Sequence, residues 1–172
     1  MVSSKHIITA LVSDKPGVLN RVASLFRRRG FNIESIAVGA SEVSDVSRMT
    51  IVVDGATTLI EQVRKQLDKV IDVIKVTDIT GGSTITRELA LIKVKSNPGT
   101  RSEIMQIVDI FRAKIVDVAI DSLTVEVTGD EAKVTSLYNL LKGFGIKEIS
   151  RTGVIGMTRG GTPQASTEEE SQ

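Results

Sequence analysis

The residues best placed to do chemistry lie in one short run, Asp14-Lys15-Pro16-Gly17-Val18-Leu19. Asp14 has the side chain of a helix cap, and Pro16 suits the first turn of a helix, where a missing N–H costs nothing. Gly17 leaves no side chain between the backbone and a ligand. A helix starting here presents unpaired N–H groups and positive potential, which suits a carboxylate. The same residues also make an ordinary turn and cap, and local chemistry alone favours that reading. A second candidate is Gly30-Phe31-Asn32-Ile33-Glu34-Ser35. The Asn32 amide carries donors and acceptors that match the ammonium and carboxylate of an amino acid. Taken alone, a loop asparagine bonded to its own backbone is the better account of it.

Other chemistries are excluded by composition. The 172 residues include no cysteine and one histidine, His6. Disulfides, thiolate nucleophiles, Cys-ligated zinc and any multi-histidine metal site within one chain are therefore ruled out. A Ser-His-Asp triad would rest on His6, which sits in an apolar run with no acidic neighbour and reads as a core or sheet residue. Lys plus Arg total 22 against 21 Asp plus Glu, so the net charge of +1 gives no electrostatic case for nucleic acid or an anionic membrane. No apolar run approaches the roughly 20 residues that span a bilayer, and Met1–His6 does not open a signal peptide, so a cytoplasmic protein is expected. Arg27-Arg28-Arg29 complements a helix C-terminus without invoking phosphate, and Glu168-Glu169-Glu170 reads as a solubilising run. Composition disfavours a self-contained enzyme.

The elements that must position Gly17 and Asn32 follow from periodicity. His6–Val12 is apolar and strand-like. Val18, Leu19, Val22, Leu25 and Phe26 then recur at helical spacing until Gly30, which stops the helix as a C-cap would. Ile33–Val38 and Met49–Val53 read as strands. Leu59, Ile60, Val63, Leu67 and Val70 have helix spacing, and Val73–Ile79 is again strand-like. The order is β-α-β-β-α-β. After the linker-like Thr80-Gly81-Gly82-Ser83-Thr84, the order repeats. Strands are read at Leu89–Val94, Ile115–Ile120, Leu123–Val127 and Ile146–Ile149, with a last strand-like stretch at Val154–Met157. Helix stripes run through Ile104–Phe111 and Val134–Leu141. Laying Pro16-Gly17 on Pro98-Gly99 superposes Val22 on Ile104, Leu25 on Ile107 and Ile33 on Ile115.

The fold class is therefore α+β, two ferredoxin-like βαββαβ units in tandem. The expected division is residues 1–79, a linker at 80–86, a second unit at 87–158 and a disordered tail at 159–172. In this topology the second strand lies at a sheet edge, and an unpaired edge invites another chain. Units near 75 residues bury only about 60% of their unfolded surface, so a dimer is expected. The fold also hosts RNA-binding modules, but four Phe, one Tyr and no Trp leave the strands without stacking residues. An acylphosphatase-like enzyme wants an arginine in the first loop, where this chain has Asp14 and Lys15.

Three stretches carry a resemblance: Pro16-Gly17-Val18-Leu19-Asn20-Arg21-Val22, then Leu25 through Ile36, then Ser47-Arg48-Met49-Thr50. They resemble an ACT domain and, more narrowly, the regulatory (small) subunit of acetolactate synthase. Gln66–Val73, Arg87–Val94, Phe111–Val118 and Arg151-Thr152-Gly153 agree, so the resemblance covers about residues 5–160. It implies a chain with no active site and no cofactor of its own. A catalytic large subunit would carry thiamine diphosphate, magnesium and FAD. The small subunit would activate it and confer feedback inhibition by a branched-chain amino acid, valine first among them. The first unit would be the ACT domain, paired with a second copy, with the amino acid held at the dimer interface by Asp14, Gly17, Val18, Asn20, Asn32 and Ile33. The second unit would engage the large subunit.

Two departures stand out. The family often has Asn where this chain has Asp14, and a carboxylate there favours the ligand's ammonium over its carboxylate. The second half carries Thr100-Arg101-Ser102 after its turn, without the matching Val-Leu or Asn, and is not expected to hold the same ligand. The alternative function is a stand-alone tandem ACT sensor of amino acids without an enzyme partner. A small hydrolase of the same fold ranks below both, given the lone histidine.

Overall fold

The computed structural model describes residues 5–160. The first unit comprises β1 (Lys5–Ser13), α1 (Val18–Arg29), β2 (Ile33–Ala40), β3 (Val46–Asp54), α2 (Thr57–Leu67) and β4 (Val73–Asp78). Its sheet is antiparallel with the order β2-β3-β1-β4. The second unit comprises β5 (Thr84–Lys95), α3 (Arg101–Ile110), β6 (Lys114–Val118), β7 (Ser122–Gly129), α4 (Glu131–Lys142), β8 (Ile146–Arg151) and β9 (Ile155–Thr158). Its order is β6-β7-β5-β8, with β9 added to the beginning of β5. Both are ferredoxin-like, and in both the second strand is an edge, as the periodicity predicts.

The helices form where the apolar spacing requires. Along α1, Val18, Val22, Leu25 and Phe26 are buried, while Arg27, Arg28 and Arg29 fill the last turn. Gly30 takes φ +69°, which an L side chain adopts only with strain, and this lets the Phe31 N–H reach the Phe26 carbonyl at 3.0 Å. Strand alternation supplies the other side of the core: Ile8, Ala10 and Val12 from β1, and Met49, Ile51 and Val53 from β3, closed by Ile60, Val63 and Leu67 of α2. Phe26 meets Phe31 edge-on at 6.2 Å. The second unit builds a separate core from Ala90, Ile92, Val94, Leu123, Val125 and Val127 under Ile104, Val108, Val134, Leu137 and Leu141.

The internal repeat extends to the irregularities. The β2–β3 register passes from Ile33↔Val53 to Ser35↔Val52, leaving Glu34 as the extra residue of a bulge. The β6–β7 register passes from Ile115↔Val125 to Asp117↔Thr124, leaving Val116 in the same role. The central strands slip alike, between Leu11 and Val12 in β1 and between Lys93 and Val94 in β5. Each of these positions keeps the spacing that separates Pro16 from Pro98.

Two expectations are corrected or limited. The stretch 80–86 is not all linker, because Thr84–Arg87 is strand, paired Thr84↔Thr158 through Arg87↔Ile155. The β-branched Thr84, Ile85 and Thr86 favour that conformation, and the glycine-rich turn before them ends at Ser83. The tail expected at 159–172 lies outside the described residues from 161 onward; the Arg159 N–H reaches the Ser83 carbonyl at 2.8 Å. No described helix is long and apolar enough to cross a membrane.

Phe26 is 1% exposed, whereas Leu19 on the same helix is 51% exposed. Phe26→Ala is expected to cost about 3–5 kcal/mol of unfolding free energy in urea titrations, against less than about 0.5 kcal/mol for Leu19→Ala. Equal losses would mean that α1 presents a different face to the core.

Candidate functional site

The loop between β1 and α1 is held from both sides by backbone bonds. The Ser13 N–H donates to the Asp72 carbonyl and the Asp14 N–H to the Asp45 carbonyl, each at 2.8 Å. Arg21, one turn into α1, forms an ion pair with the nearly buried Asp72 carboxylate and so ties the start of the helix to the approach to β4. The sequence reading missed this pair: Arg21 stands four residues after Gly17, but nothing in the pattern marks Asp72 as buried.

Asp14 does not cap α1, contrary to expectation. The helix starts at Val18, Gly17 occupies the cap position with φ +89°, and no side chain accepts a hydrogen bond from the first turn. Pro16 accordingly lies in the turn before the helix, not in its first turn. A Cβ at Gly17 would meet nothing within 4 Å, so glycine is required by the backbone angle and the space beside it is open. The first turn also has no acidic residue, and its positive end is uncompensated. Asp14, Gly17 and Asn20 are exposed around it, while the Val18 side chain belongs to the core, leaving only its backbone for a ligand.

The second unit closes the equivalent place with its own atoms. The Asn97 Oδ1 accepts from the Gly99 and Thr100 N–H groups at 2.9 and 3.0 Å. The Arg101 guanidinium, at the position matching Leu19, donates to the Ala119 and Ile120 carbonyls at 2.9 and 3.1 Å and to Ser96 Oγ at 3.2 Å. The Val18 N–H bonds the Lys15 carbonyl at 3.4 Å where the matching Thr100 N–H bonds Asn97 Oδ1, and neither α1 nor α3 has a side-chain cap on its first turn.

Asn32 and Ile33 lie far from this loop within one chain. Ile33 pairs with Val53, whereas Ser13, at the loop end, pairs with Val46. Seven residues of β3 separate those partners, roughly 23 Å of strand. Asn32 is exposed just before β2, and Ile33 is partly buried against the core. β2 is an edge strand whose one pairing partner among the described strands is β3.

Just beyond Ile33 the first unit meets the second. The Lys5 ammonium contacts Glu34 of the bulge at 2.5 Å and also pairs with Glu131, the first residue of α4. Hydrogen bonding to Glu131, then to Glu34, raises the Lys5 pKa above its ordinary value. A cleft of about 330 Å³ opens alongside, lined by Ser35, Val52, Glu88, Arg151, Gly153 and Val154 among others. Glu88 is buried and paired with Arg151, whose Nε donates to it at 3.2 Å. Thr152 Oγ1 accepts from the Leu89 N–H at 3.1 Å, and Gly153, at φ +81°, sits where a Cβ would stand 3.4 Å from the Ile36 carbonyl and from Ser35 Cβ. Arg151-Thr152-Gly153 is thus the joint between the units. Val52 is 4% exposed for this reason, although both helices of its unit cover the opposite face.

Comparison with known proteins is consistent over the whole described length. Residues 8–75 match the family model described as the AHAS small subunit-like ACT domain, and residues 87–160 match that of the small subunit of acetolactate synthase. A probable acetolactate synthase small subunit of Archaeoglobus fulgidus is 57% identical over 156 residues, 91% of this chain and 98% of that protein. The acetolactate synthase small subunit of Mycobacterium leprae is 54% identical over 155 residues, 90% of this chain and 92% of that one. The crystal structure of the acetolactate synthase small subunit from Thermotoga maritima superposes with a TM-score of 0.84 at 45% identity, covering 91% of this chain and 98% of that one. With two family models spanning both units and relatives above half identity over nearly the full length, the chain belongs to the acetolactate synthase small-subunit family, its first unit an ACT domain.

Proposed function

We propose that this chain is the regulatory partner of a catalytic acetolactate synthase large subunit, which it activates and places under feedback control by a branched-chain amino acid, valine first among them. The observation that carries the reading is the uncapped start of α1 behind Gly17, at the opposite end of the unit from Asn32, with an unpaired β2 edge that two copies can share. Two copies paired through β2 form two equivalent sites. In each, one chain supplies the α1 N–H groups for the ligand carboxylate and Asp14 for its ammonium, and the other supplies the Asn32 amide. Leu19 and Val38, each about half exposed, offer apolar surface for a branched side chain. No cofactor is assigned to this chain; thiamine diphosphate, magnesium and FAD belong to the large subunit, which we place with it in the cytoplasm.

Inhibition then follows from linkage. A ligand held between two copies favours one arrangement of them, and a docked enzyme responds by a coupling of about 1–3 kcal/mol. The stand-alone sensor is disfavoured because the second unit matches the small-subunit family over residues 87–160. That unit exposes Ile110, Val118 and Ile120, the last 94% accessible, around the open edge of β6. We assign docking of the large subunit to this end.

In assays of acetolactate formation from pyruvate, the chain alone is expected to be inactive and to raise the rate of added large subunit. Ile120→Asp should lose most of that activation while valine binding by calorimetry persists. Activity of the pure chain alone would contradict a regulatory role, and full activation by Ile120→Asp would contradict the docking assignment. Gly17→Asp puts a side chain and a negative charge where the ligand carboxylate should lie. Asn32→Ala leaves the ligand's polar end unpaired, at roughly 1–3 kcal/mol. Each is expected to weaken valine inhibition about tenfold or more with activation retained. Full valine sensitivity in either variant would remove that residue from the site.

A further inference from the structure

The bulge at Glu34 stands between two neighbourhoods. On its N-terminal side are Asn32 and Ile33; on its C-terminal side Ser35 and Ile36 line one cleft with Gly153 of the second unit. A bulge turns its extra residue away from the regular ladder, and here that residue reaches Lys5. Lys5 is the only cation the structure places on both Glu34 and Glu131 among the described ion pairs. Two carboxylates from different units thus share one ammonium, and without it they would face each other as like charges. At Gly153 a Cβ would fill the space up to the Ile36 carbonyl and Ser35, each 3.4 Å away, and its φ of +81° disfavours any side chain. A shift of β2 would therefore change both contacts together.

We propose that Glu34, Lys5 and Gly153 form the joint that transmits the state of the β2 edge to the second unit, with Lys5 and Gly153 acting as positioning residues and not as ligand contacts. This rests on the reading that Asn32 and Ile33 take part in ligand binding, and it adds the route by which that binding reaches the unit assigned to the large subunit. The joint predicts variants that bind the ligand but do not report it.

The test uses the full chain with its large subunit, and valine as the probe. Lys5→Met removes the shared ammonium and leaves the two carboxylates facing each other. It is expected to keep valine affinity within about twofold by calorimetry and to keep activation, while maximal inhibition falls by about half or more. Lys5→Arg should restore inhibition, and adding Glu131→Gln to Lys5→Met should restore part of it by removing the repulsion. Gly153→Ala should act in the same direction as Lys5→Met. Undiminished inhibition in Lys5→Met would overturn the joint. So would a parallel loss of valine binding and inhibition, because Lys5 would then belong to the binding site itself. Failure of the wild-type chain to bind valine or transmit inhibition would instead overturn the functional reading on which the joint rests, so the two failures are distinguishable.

Discussion

The unpaired edge of β2 is the constraint around which the rest of the molecule is arranged. Eight residues, Ile33–Ala40, bond to β3 on one side only, so a row of backbone donors and acceptors faces outward. Such an edge either pairs with another chain or must be blunted. This one carries Val38, Gly39 and Ala40 exposed near its end, with no proline or lysine along it. The unit behind it is small, with its core confined to one face of a four-stranded sheet. Under the proposed pairing through β2, surface would be buried where it is scarce and, with one strand reversed, the start of α1 would lie toward the other copy's Asn32. In that proposal one edge serves both stability and the composition of the site.

The two units show how a repeat can separate roles without changing its backbone plan. Bulges, strand order and the turn before the first helix recur in both. The divergence is in side chains. In the second unit Asn97 accepts from the Gly99 and Thr100 N–H groups before α3 and Arg101 donates to the Ala119 and Ile120 carbonyls, whereas in the first Leu19 stands in place of Arg101. The bulge residue differs as well: Glu34 carries the charge that meets Lys5, whereas Val116 is apolar and half exposed. The proposed ligand site belongs to the first unit, and exposed apolar residues gather at the β6 edge of the second.

Much of this was legible in the chain. The stripe Val18-Val22-Leu25-Phe26, the stop at Gly30 and the β-α-β-β-α-β order all express local rules that tertiary contacts then reinforced. What escaped depended on contacts distant in sequence. Thr84–Arg87 follows a glycine-rich turn and becomes strand because β9, some seventy residues on, lies beside it. Asp14 looks like a cap, but its backbone N–H is committed to Asp45 and the chain turns through Pro16 before the helix begins. The sequence pattern does not show that Arg151 is anchored on a buried Glu88 or that Gly153 lines one cleft with Ile36. Nor does periodicity indicate that Asn32 and Gly17 lie at opposite ends of one unit; that follows from the register of β3 with its two neighbours.

The central claim is that one ligand site draws on two chains, and mixing experiments test it most directly. Gly17→Asp and Asn32→Ala chains would be prepared separately, unfolded together, refolded and titrated with valine by calorimetry. Each mixed dimer holds one site with both lesions and one with neither, so the mixture is expected to bind valine at wild-type affinity with reduced stoichiometry, while neither parent alone does. No recovery of wild-type-affinity sites, in a mixture shown by mass spectrometry to contain mixed dimers, would contradict the account and place each site within a single chain.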